Sequence, residues 1–293
     1  MENAKRFFVL FVGLTFSLVS SLGMSNVEIK ADVVYGHKDG MALVYDVLQP
    51  TNANGAAIIF MMSGGWYSSW APPEDRARQF SGMLDAGFTM IPVYHGSAPR
   101  YHIPDAYSDV SRAVRHIKIN AESYDIDPDR IGVTGGSAGG HLSLMIGLDS
   151  DQGLSDDPDE VMQSGNSVAA VVAYFPPVDL REEESATEGI VTRVSQEELL
   201  ARFPALDFDT DLIDSVSPIL FADAGDPPTL LIHGDADPFV DVTHSFVMQA
   251  EIESQQIESE LIVIPDGKHG FGGENAIRAN NARLAWFQKY LLD

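Results

Sequence analysis

The apolar residues of the chain fall into short runs separated by glycine, proline and charged residues. The first two runs alternate between apolar and polar positions, which predicts two strands joined by a hairpin turn at 36–40. Six later runs are mostly apolar throughout, as expected of strands buried on both faces of a sheet. The predicted strands cover 27–35, 41–48, 56–62, 88–94, 131–134, 167–175, 229–233 and 258–264.

Segments with helical patterns separate most of the later strands. Predicted helices cover 74–86, 104–122, 196–202, 241–254 and 275–292, and one more begins after Ser137. The closing helix is expected to bury one face, formed by Ile277, Leu284, Phe287 and Leu291. Strands that alternate with helices predict an α/β protein. We expect a mostly parallel, eight-stranded sheet with an antiparallel start and helices on its faces.

Two segments stand outside this alternation. Residues 180–222 carry no strand signal, and we expect them to form a small cap over the carboxyl edge of the sheet. Residues 1–23 join a basic start to an apolar run and a small-residue end, which is typical of a secretory signal peptide. The alternative is an uncleaved anchor. The predicted catalytic domain is therefore 24–293, in a secreted or periplasmic protein.

Charge and composition narrow the possible partners. The net charge is −25, from 43 acidic and 18 basic residues, which disfavours nucleic acid and anionic membranes as stable partners. The chain has no cysteine, so disulfides, thiolate metal sites and a cysteine nucleophile are excluded. Nothing in the sequence specifies an oligomeric state.

The segment 135–139 reads Gly-Gly-Ser-Ala-Gly and fits G-x-S-x-G, between a predicted strand and a predicted helix. This is the context of a nucleophile elbow, in which a strained turn exposes a serine hydroxyl at the carboxyl end of a sheet. Gly135 and Gly139 are expected to be glycine because a Cβ would collide with the neighbouring helix and strand. Ser137 is therefore the candidate nucleophile.

A serine nucleophile needs a base, and the base needs an acid that orients it. His269 follows the last strand in a glycine-rich loop and is the candidate base. Asp237 and Asp235 both follow the strand at 229–233. Asp237 is preferred because the turn points the later residue back toward the site, and Asp235 stays the alternative.

The oxyanion of an acyl-transfer reaction needs backbone amide donors. Gly64 and Gly65 follow the third strand, and Ala138 begins the helix after Ser137. These three amides form the predicted oxyanion hole. Aromatic residues follow the glycines and the base, and the candidate substrate pocket consists of Trp66, Tyr67, Trp70 and Phe271. For Trp66, Tyr67 and Trp70, a packed aromatic corner is an equally good interpretation.

Other polar residues favour structural roles. His141 lies inside the helix after the elbow, and we interpret it as a packed core histidine. His95 and His102 are assigned to a loop, and His233 to the turn that carries the acid. The acidic loop 149–160 departs from a calcium-binding loop because its sixth position is Leu154, and we interpret it as solvated. No spacing of histidines and carboxylates predicts a metal.

Together these segments resemble the α/β-hydrolase superfamily, and in particular bacterial carboxylesterases of the hormone-sensitive-lipase-like and feruloyl-esterase-like (BD-FAE) groups. The resemblance rests on 63–66, 131–142, 227–237 and 269–271, with a further likeness at 94–109. It implies a serine carboxylesterase that uses no cofactor. The implied substrates are small-molecule or saccharide esters with short acyl, acetyl or feruloyl groups.

One departure and two alternatives accompany this resemblance. The family motif His-Gly-Gly-Gly is replaced by Met62-Ser63-Gly64-Gly65, so the histidine that braces the oxyanion loop is missing. A small peptidase related to prolyl oligopeptidase would use the same catalytic residues. A hydrolase-fold binding protein without catalysis is the alternative from a different class.

Overall fold

A computed structural model describes residues 27–181 and 196–292. The predicted signal peptide, and residues 182–195 of the predicted cap, lie outside the described residues. Eight strands form one sheet in the described part of the chain. They are β1 (Val27–Lys38), β2 (Met41–Pro50), β3 (Ala57–Met61), β4 (Thr89–Val93), β5 (Ile131–Gly136), β6 (Ala170–Tyr174), β7 (Thr229–Gly234) and β8 (Ser259–Ile264).

The strand order is β1-β2-β4-β3-β5-β6-β7-β8. β2 pairs antiparallel with both β1 and β4, and the other neighbours are parallel. This is the α/β-hydrolase fold, and it confirms the predicted mostly parallel sheet with an antiparallel start. Because β3, β5, β7 and β8 are parallel, the loops after them meet at one edge of the sheet.

Helices cover both faces of this sheet. They are α1 (Pro73–Gln79), α2 (Ser81–Asp85), α3 (Ile103–Ile119), α4 (Ala138–Leu148), α5 (Gln196–Arg202), α6 (Thr243–Ser254) and α7 (Gly273–Leu291). α3, α4 and α6 contribute to the core on one face, and α1, α2 and α7 to the core on the other. Within β3, Ala57 and Ile59 belong to the first core and Ile58 to the second, as the alternation of side chains in a strand requires.

Two helix predictions were wrong in detail. The segment 74–86 forms two helices because Phe80 leaves helical geometry (φ −99°, ψ 11°), and its buried ring packs on Phe60 with centroids 4.9 Å apart. Ile277 was predicted on the buried face of the closing helix, but it is 61% exposed, whereas Phe287 and Leu291 are buried. The first turns of α7 therefore face the sheet through Ala279, which is buried, rather than through Ile277.

In the described part of the predicted cap, the first helix is α5. Four single 3-10 turns follow, at Pro204–Leu206, Thr210–Leu212, Asp214–Val216 and Pro218–Leu220, and no strand occurs among the described residues of this segment. Val216 is buried in the same core as α4. None of the described helices is long and apolar enough to cross a membrane.

Candidate active site

The turn between β5 and α4 places Ser137 in strained backbone geometry, with φ 56° and ψ −123°. A Cβ on Gly135 would lie 2.5 Å from the carbonyl group of Gly139, and one on Gly139 would lie 2.7 Å from the carbonyl oxygen of Met61. The two collisions predicted from the sequence are therefore present. The Ser137 amide donates to the Tyr174 carbonyl at 2.9 Å, which anchors the strained turn on the end of β6.

Ser137 and His269 line the same cavity. The Ser137 hydroxyl makes no hydrogen bond to another residue that the structure describes. It is therefore free to bond to a substrate or to His269, a contact that catalytic groups often complete only when substrate binds.

Asp237 and His269 come together from the loops after β7 and β8. His269 Nδ1 lies 2.7 Å from Oδ2 of Asp237, whose side chain is fully buried. With Asp237 ionised, Nδ1 carries the proton and Nε2 is left to accept one. Phe175 and Phe239 hold the imidazole, with ring centroids 4.6 and 5.3 Å from that of His269.

The surroundings of Asp237 favour its charged form. Burial alone would raise its pKa, but His233, His269 and the Phe239 amide outweigh burial and hold the pKa well below its usual range. The Phe239 and Val240 amides donate to Oδ1 at 2.8 and 3.1 Å. Asp237 is therefore a carboxylate throughout the range in which an imidazole titrates.

His233 and Asp235 have structural roles in the same turn. His233 is buried, with Nε2 2.9 Å from the Val240 carbonyl oxygen and Nδ1 2.7 Å from the Ser245 hydroxyl. It braces the turn, as the sequence suggested. The carboxylate of Asp235 accepts the Asp266 amide at 2.7 Å, and no hydrogen bond from Asp235 to His269 occurs among the described residues.

The loop after β3 forms a tight turn. The Gly64 amide donates to the Tyr67 carbonyl at 3.0 Å, and the Tyr67 amide donates back to Gly64 at 3.1 Å. Gly65 and Trp66 both have φ 58°, as the two central residues of a type I′ turn require. The Gly64 amide already donates to Tyr67 within this turn. It therefore does not fit the predicted role of an oxyanion donor.

Three other amides in this region have no acceptor among the described residues. Gly65 and Trp66 contribute two of them, and Ala138 contributes the third as the first residue of α4, where an amide has no acceptor within its own helix. The predicted donors Gly65 and Ala138 thus remain available. The free amide of Trp66 was not suggested by the sequence, because tryptophan rarely adopts positive φ.

The buried indole of Trp66 ties this turn to the helix that follows Ser137. Its Nε1 donates to Nδ1 of His141 at 3.4 Å, and Nε2 of His141 lies 2.7 Å from the Val216 carbonyl oxygen. Burial lowers the pKa of His141 to about 4, so the ring is neutral and can both donate and accept. His141 is the packed core histidine that the sequence predicted.

The loop after β4 holds the segment that follows the glycine turn. The Ala98 amide donates to the Trp66 carbonyl at 3.1 Å, and the Ser68 amide donates to Ser97 Oγ at 3.0 Å. The His95 amide donates to Ser68 Oγ at 3.2 Å. These bonds brace the turn through residues that follow the two glycines. In the His-Gly-Gly-Gly motif, the bracing histidine precedes the glycines.

The cavity has a volume of about 830 Å³. Tyr67 lines it as predicted, and Trp66 lies in its wall with only 2% of its surface exposed. Trp70 was predicted in this pocket but lies outside it, 55% exposed, with Nε1 donating to Asp32 at 3.2 Å. Phe271 was also predicted here, but it lines a smaller neighbouring cavity and packs on Phe175.

Several residues that line the cavity were not predicted from the sequence. They come from strand ends, from the acid's turn and from the cap, and they include Phe60, Met62, Phe175, Pro177, Arg202, Phe203, Phe239 and Val240. Phe203 packs on the turn at Gly64–Tyr67, since a Cβ on Gly65 would lie 3.0 Å from its ring. The described end of the predicted cap therefore reaches the cavity.

No group of three or more histidine, aspartate or glutamate side chains suited to a metal ion occurs in the described ranges. In the acidic loop, Asp151 pairs with Arg115 of α3 at 2.5 Å and Asp159 pairs with Arg112 at 2.5 Å. These carboxylates are thus neutralised by arginines rather than by solvent alone.

Comparison with known proteins yields a family and several esterase relatives. The family model described as BD-FAE matches residues 45–252. Esterase LipQ of Mycobacterium tuberculosis (strain ATCC 25618 / H37Rv) is 25% identical over 260 residues, which cover 85% of this chain and 59% of LipQ. An acetylxylan esterase of Xylanibacter ruminicola is 26% identical over 235 residues, which cover 80% of this chain and 44% of that protein.

A solved structure of a truncated carbohydrate esterase from gut microbiota has a TM-score of 0.74 and 26% identity. The alignment covers 92% of this chain and 98% of that one. The chain spans about half the length of the curated relatives that it matches.

Proposed function

We propose that this chain, which belongs to the BD-FAE family of α/β-hydrolases, is a serine carboxylesterase with Ser137, His269 and Asp237 as its catalytic residues. The observation that carries the proposal is the 2.7 Å hydrogen bond between His269 and Asp237 at the cavity that Ser137 also lines. The relatives named above, which are described as esterases, support ester hydrolysis over peptide hydrolysis.

In the first half of the reaction, Ser137 Oγ attacks the ester carbonyl while Nε2 of His269 takes its proton. Asp237 holds the imidazole in the required tautomer and stabilises the imidazolium that forms. The free amides of Gly65, Trp66 and Ala138 bind the oxyanion. His269 then protonates the departing alkoxide, and the acyl group stays on Ser137.

In the second half, His269 removes a proton from water, which attacks the acyl-enzyme. The same amides stabilise the second oxyanion, and Ser137 leaves with the proton returned by His269. Every proton transfer uses one imidazole, so the proposed cycle closes with the residues of this chain alone.

The direct test is Ser137→Ala, with Ser63→Ala as a matched control. Ser63 lines the same cavity but has a buried hydroxyl without a partner among the described residues. Purified protein would be assayed with 4-nitrophenyl acetate and labelled with a fluorophosphonate. We expect Ser137→Ala to lose both signals and Ser63→Ala to keep both. Hydrolysis of the acetate ester by Ser137→Ala at the parent rate would overturn the assignment.

The proposed substrates are short-acyl esters, including acetyl or feruloyl groups on saccharides. The acetylxylan esterase relative supports acetylated saccharides, and the aromatic cavity wall can accept a feruloyl ring. An acyl-chain series, acetylated xylan and methyl ferulate would rank these groups by kcat/KM. An aminoacyl 4-nitroanilide included in the series would reveal a peptidase, since we expect its hydrolysis to be negligible.

We further propose that residues 1–23 are removed during secretion. The basic start and the apolar run of this segment support export. The full chain would be expressed in a bacterium, and the exported protein would be sequenced from its N-terminus. We expect a mature N-terminus close to Gly23. Retention of an intact Met1 in the membrane fraction would identify an uncleaved anchor instead.

A further inference from the structure

Arg202, the last residue of α5, is a cavity-lining cation that the catalytic cycle does not use. It lines the cavity of Ser137 and His269, and its side chain is exposed. Its guanidinium makes no ion pair and no hydrogen bond with any residue that the structure describes. Among the described residues, therefore, no side chain or carbonyl competes with a ligand for its five N–H groups.

The other arginine of the cavity wall is already occupied. Arg76 donates to the Ser69 carbonyl at 2.7 Å, to Gln79 Oε1 at 2.9 Å and to the Tyr94 hydroxyl at 3.3 Å. Its charge supports the loop beside the site, and few of its donors remain. Arg202 differs because its donors have no such partners in the part of the chain that the structure describes.

Phe239 positions the Arg202 guanidinium with respect to the catalytic base. The guanidinium carbon of Arg202 lies 5.3 Å from the Phe239 ring centroid, within the range of a cation–π interaction. The same ring packs on His269, with centroids 5.3 Å apart. The Phe239 ring thus lies between the Arg202 guanidinium and the His269 imidazole. A single small ester can therefore contact Arg202 while its carbonyl group lies at Ser137.

The charge of the wall also favours an anion. No aspartate or glutamate is among the described residues that line the cavity. The carboxylate of Asp237 lies behind the wall, where it is buried and paired with His269. The chain as a whole carries a net charge of −25, which repels anions over most of its surface. The cavity, with Arg202 and no carboxylate among its described lining residues, therefore attracts anions although the chain as a whole repels them.

We propose that Arg202 binds a carboxylate of the substrate, so that the preferred esters are acidic, such as esters of a uronate-containing saccharide. This inference rests on the proposed esterase function and deepens it by naming the substrate class. A guanidinium can bind a planar carboxylate through two parallel hydrogen bonds, which gives orientation as well as attraction. The carboxylate lies either on the acyl group or on the alcohol, and the two positions can be distinguished.

The test compares charged and neutral esters of similar size. Mono-4-nitrophenyl glutarate against 4-nitrophenyl butyrate probes a carboxylate on the acyl group. An acetylated methyl glucuronoside against the matching acetylated methyl glucoside probes one on the alcohol. We expect the wild type to prefer the acidic member of at least one pair in kcat/KM. Arg202→Gln should reduce that preference by about tenfold, as expected for loss of a charge-assisted hydrogen bond, and leave the neutral ester almost unchanged.

Lys268→Gln is the matched control, because it removes one exposed positive charge next to His269 without touching the cavity wall. It should preserve the preference, whereas Arg202→Lys should preserve only part of it because lysine lacks the planar fork. If Arg202→Gln and Lys268→Gln lost the preference for the acidic ester equally, the preference would come from the overall positive charge near the site, and the proposal would be overturned. An equal fall for acidic and neutral esters in Arg202→Gln would overturn it as well.

A binding measurement separates this proposal from the proposed function. Ser137→Ala would be titrated by calorimetry with monomethyl glutarate, with and without Arg202→Gln. Binding that Arg202→Gln weakens by about tenfold supports the anion site even if the wild type hydrolyses no ester, in which case only the esterase function fails. Hydrolysis of neutral esters with no effect of Arg202→Gln on either readout would overturn the anion site alone.

Discussion

Nε1 of Trp66 lies 3.4 Å from Nδ1 of His141, so the turn that carries the proposed oxyanion donors is hydrogen-bonded to the helix that begins after Ser137, the proposed nucleophile. Both side chains are buried, and Nε2 of His141 lies 2.7 Å from the Val216 carbonyl oxygen in the cap segment. Three segments distant in sequence are thus connected through one neutral imidazole. We therefore expect this connection to help hold the free amides in place relative to Ser137.

We predict that His141→Phe destabilises the protein and lowers kcat. Phenylalanine fills the space but leaves the Trp66 N–H and the Val216 carbonyl buried without partners, which costs about 2 kcal/mol or more. Urea unfolding at neutral pH and kcat with a short-acyl ester would measure the two effects. His37→Phe, on an exposed histidine of β1, is the control and should change neither quantity.

The same substitution has a predicted pH signature. Burial lowers the pKa of His141 from 6.5 to about 4, so below pH 6.5 the unfolded state binds more protons and the free energy of unfolding falls with falling pH. By pH 4 this histidine alone costs the wild type roughly 3 kcal/mol. His141→Phe lacks that loss, so the stability difference between wild type and variant should shrink from pH 7 to pH 4. A difference that stays constant would contradict a buried neutral His141.

The choice between Asp237 and Asp235 yields a matched pair of variants. Asp237→Asn removes the acceptor of the His269 Nδ1 proton, and we expect kcat to fall by roughly 10³- to 10⁴-fold because the imidazole no longer keeps the required tautomer. Asp235→Asn changes a carboxylate whose hydrogen bond within the described residues is to the Asp266 amide, and activity should stay within a few-fold of the wild type. A larger loss in Asp235→Asn than in Asp237→Asn would reverse the assignment.

Gly64 and Gly65 can be separated by alanine substitution. A Cβ on Gly64 would meet nothing within 4 Å, and the amide of this residue already binds Tyr67. At Gly65, φ is +58° and the Cβ would lie 3.0 Å from Phe203. We therefore expect Gly65→Ala to cost about 1 kcal/mol of backbone strain and to lower kcat at least tenfold by displacing a free donor. Gly64→Ala should be nearly neutral in both kcat and urea unfolding.

If Gly64→Ala instead lost as much activity as Gly65→Ala, the prediction would be wrong. Because alanine keeps the backbone amide, such a loss would place the added methyl group in the path of the substrate, in the cavity that Gly64 lines. Burst kinetics with 4-nitrophenyl acetate would show whether acylation is the step affected.

The strands and the order of the candidate catalytic residues follow from local signals. The first two strands alternate between apolar and polar residues, and the later six are short apolar runs. Ser137, Asp237 and His269 each follow one of the later strands, at the edge where parallel strands end. Such patterns are visible in a few neighbouring residues, so the fold was predictable.

The cavity wall and the role of Trp66 were not predictable in the same way. Trp66 is buried because it meets His141, which lies 75 residues later, and no local pattern records that contact. Arg202 and Phe239 likewise come from separate segments. The engaged amide of Gly64 depends on a turn type with positive φ at a tryptophan, which sequence preferences disfavour. Long-range packing decided each of these features.

Gly139 is a glycine of the elbow that we predict cannot be replaced without movement of the backbone. An alanine Cβ there would lie 2.7 Å from the Met61 carbonyl oxygen, and both groups belong to packed backbone that cannot move independently. We expect Gly139→Ala to lower the free energy of unfolding by about 3 kcal/mol or more, as overpacking in a core does. The control is Gly82→Ala in α2, where a Cβ would meet nothing within 4 Å and helix propensity favours alanine by about 0.5–1 kcal/mol. Urea unfolding of both variants would measure the contrast, and a stable Gly139→Ala protein with full activity would show that the elbow can open by several tenths of an ångström at little cost.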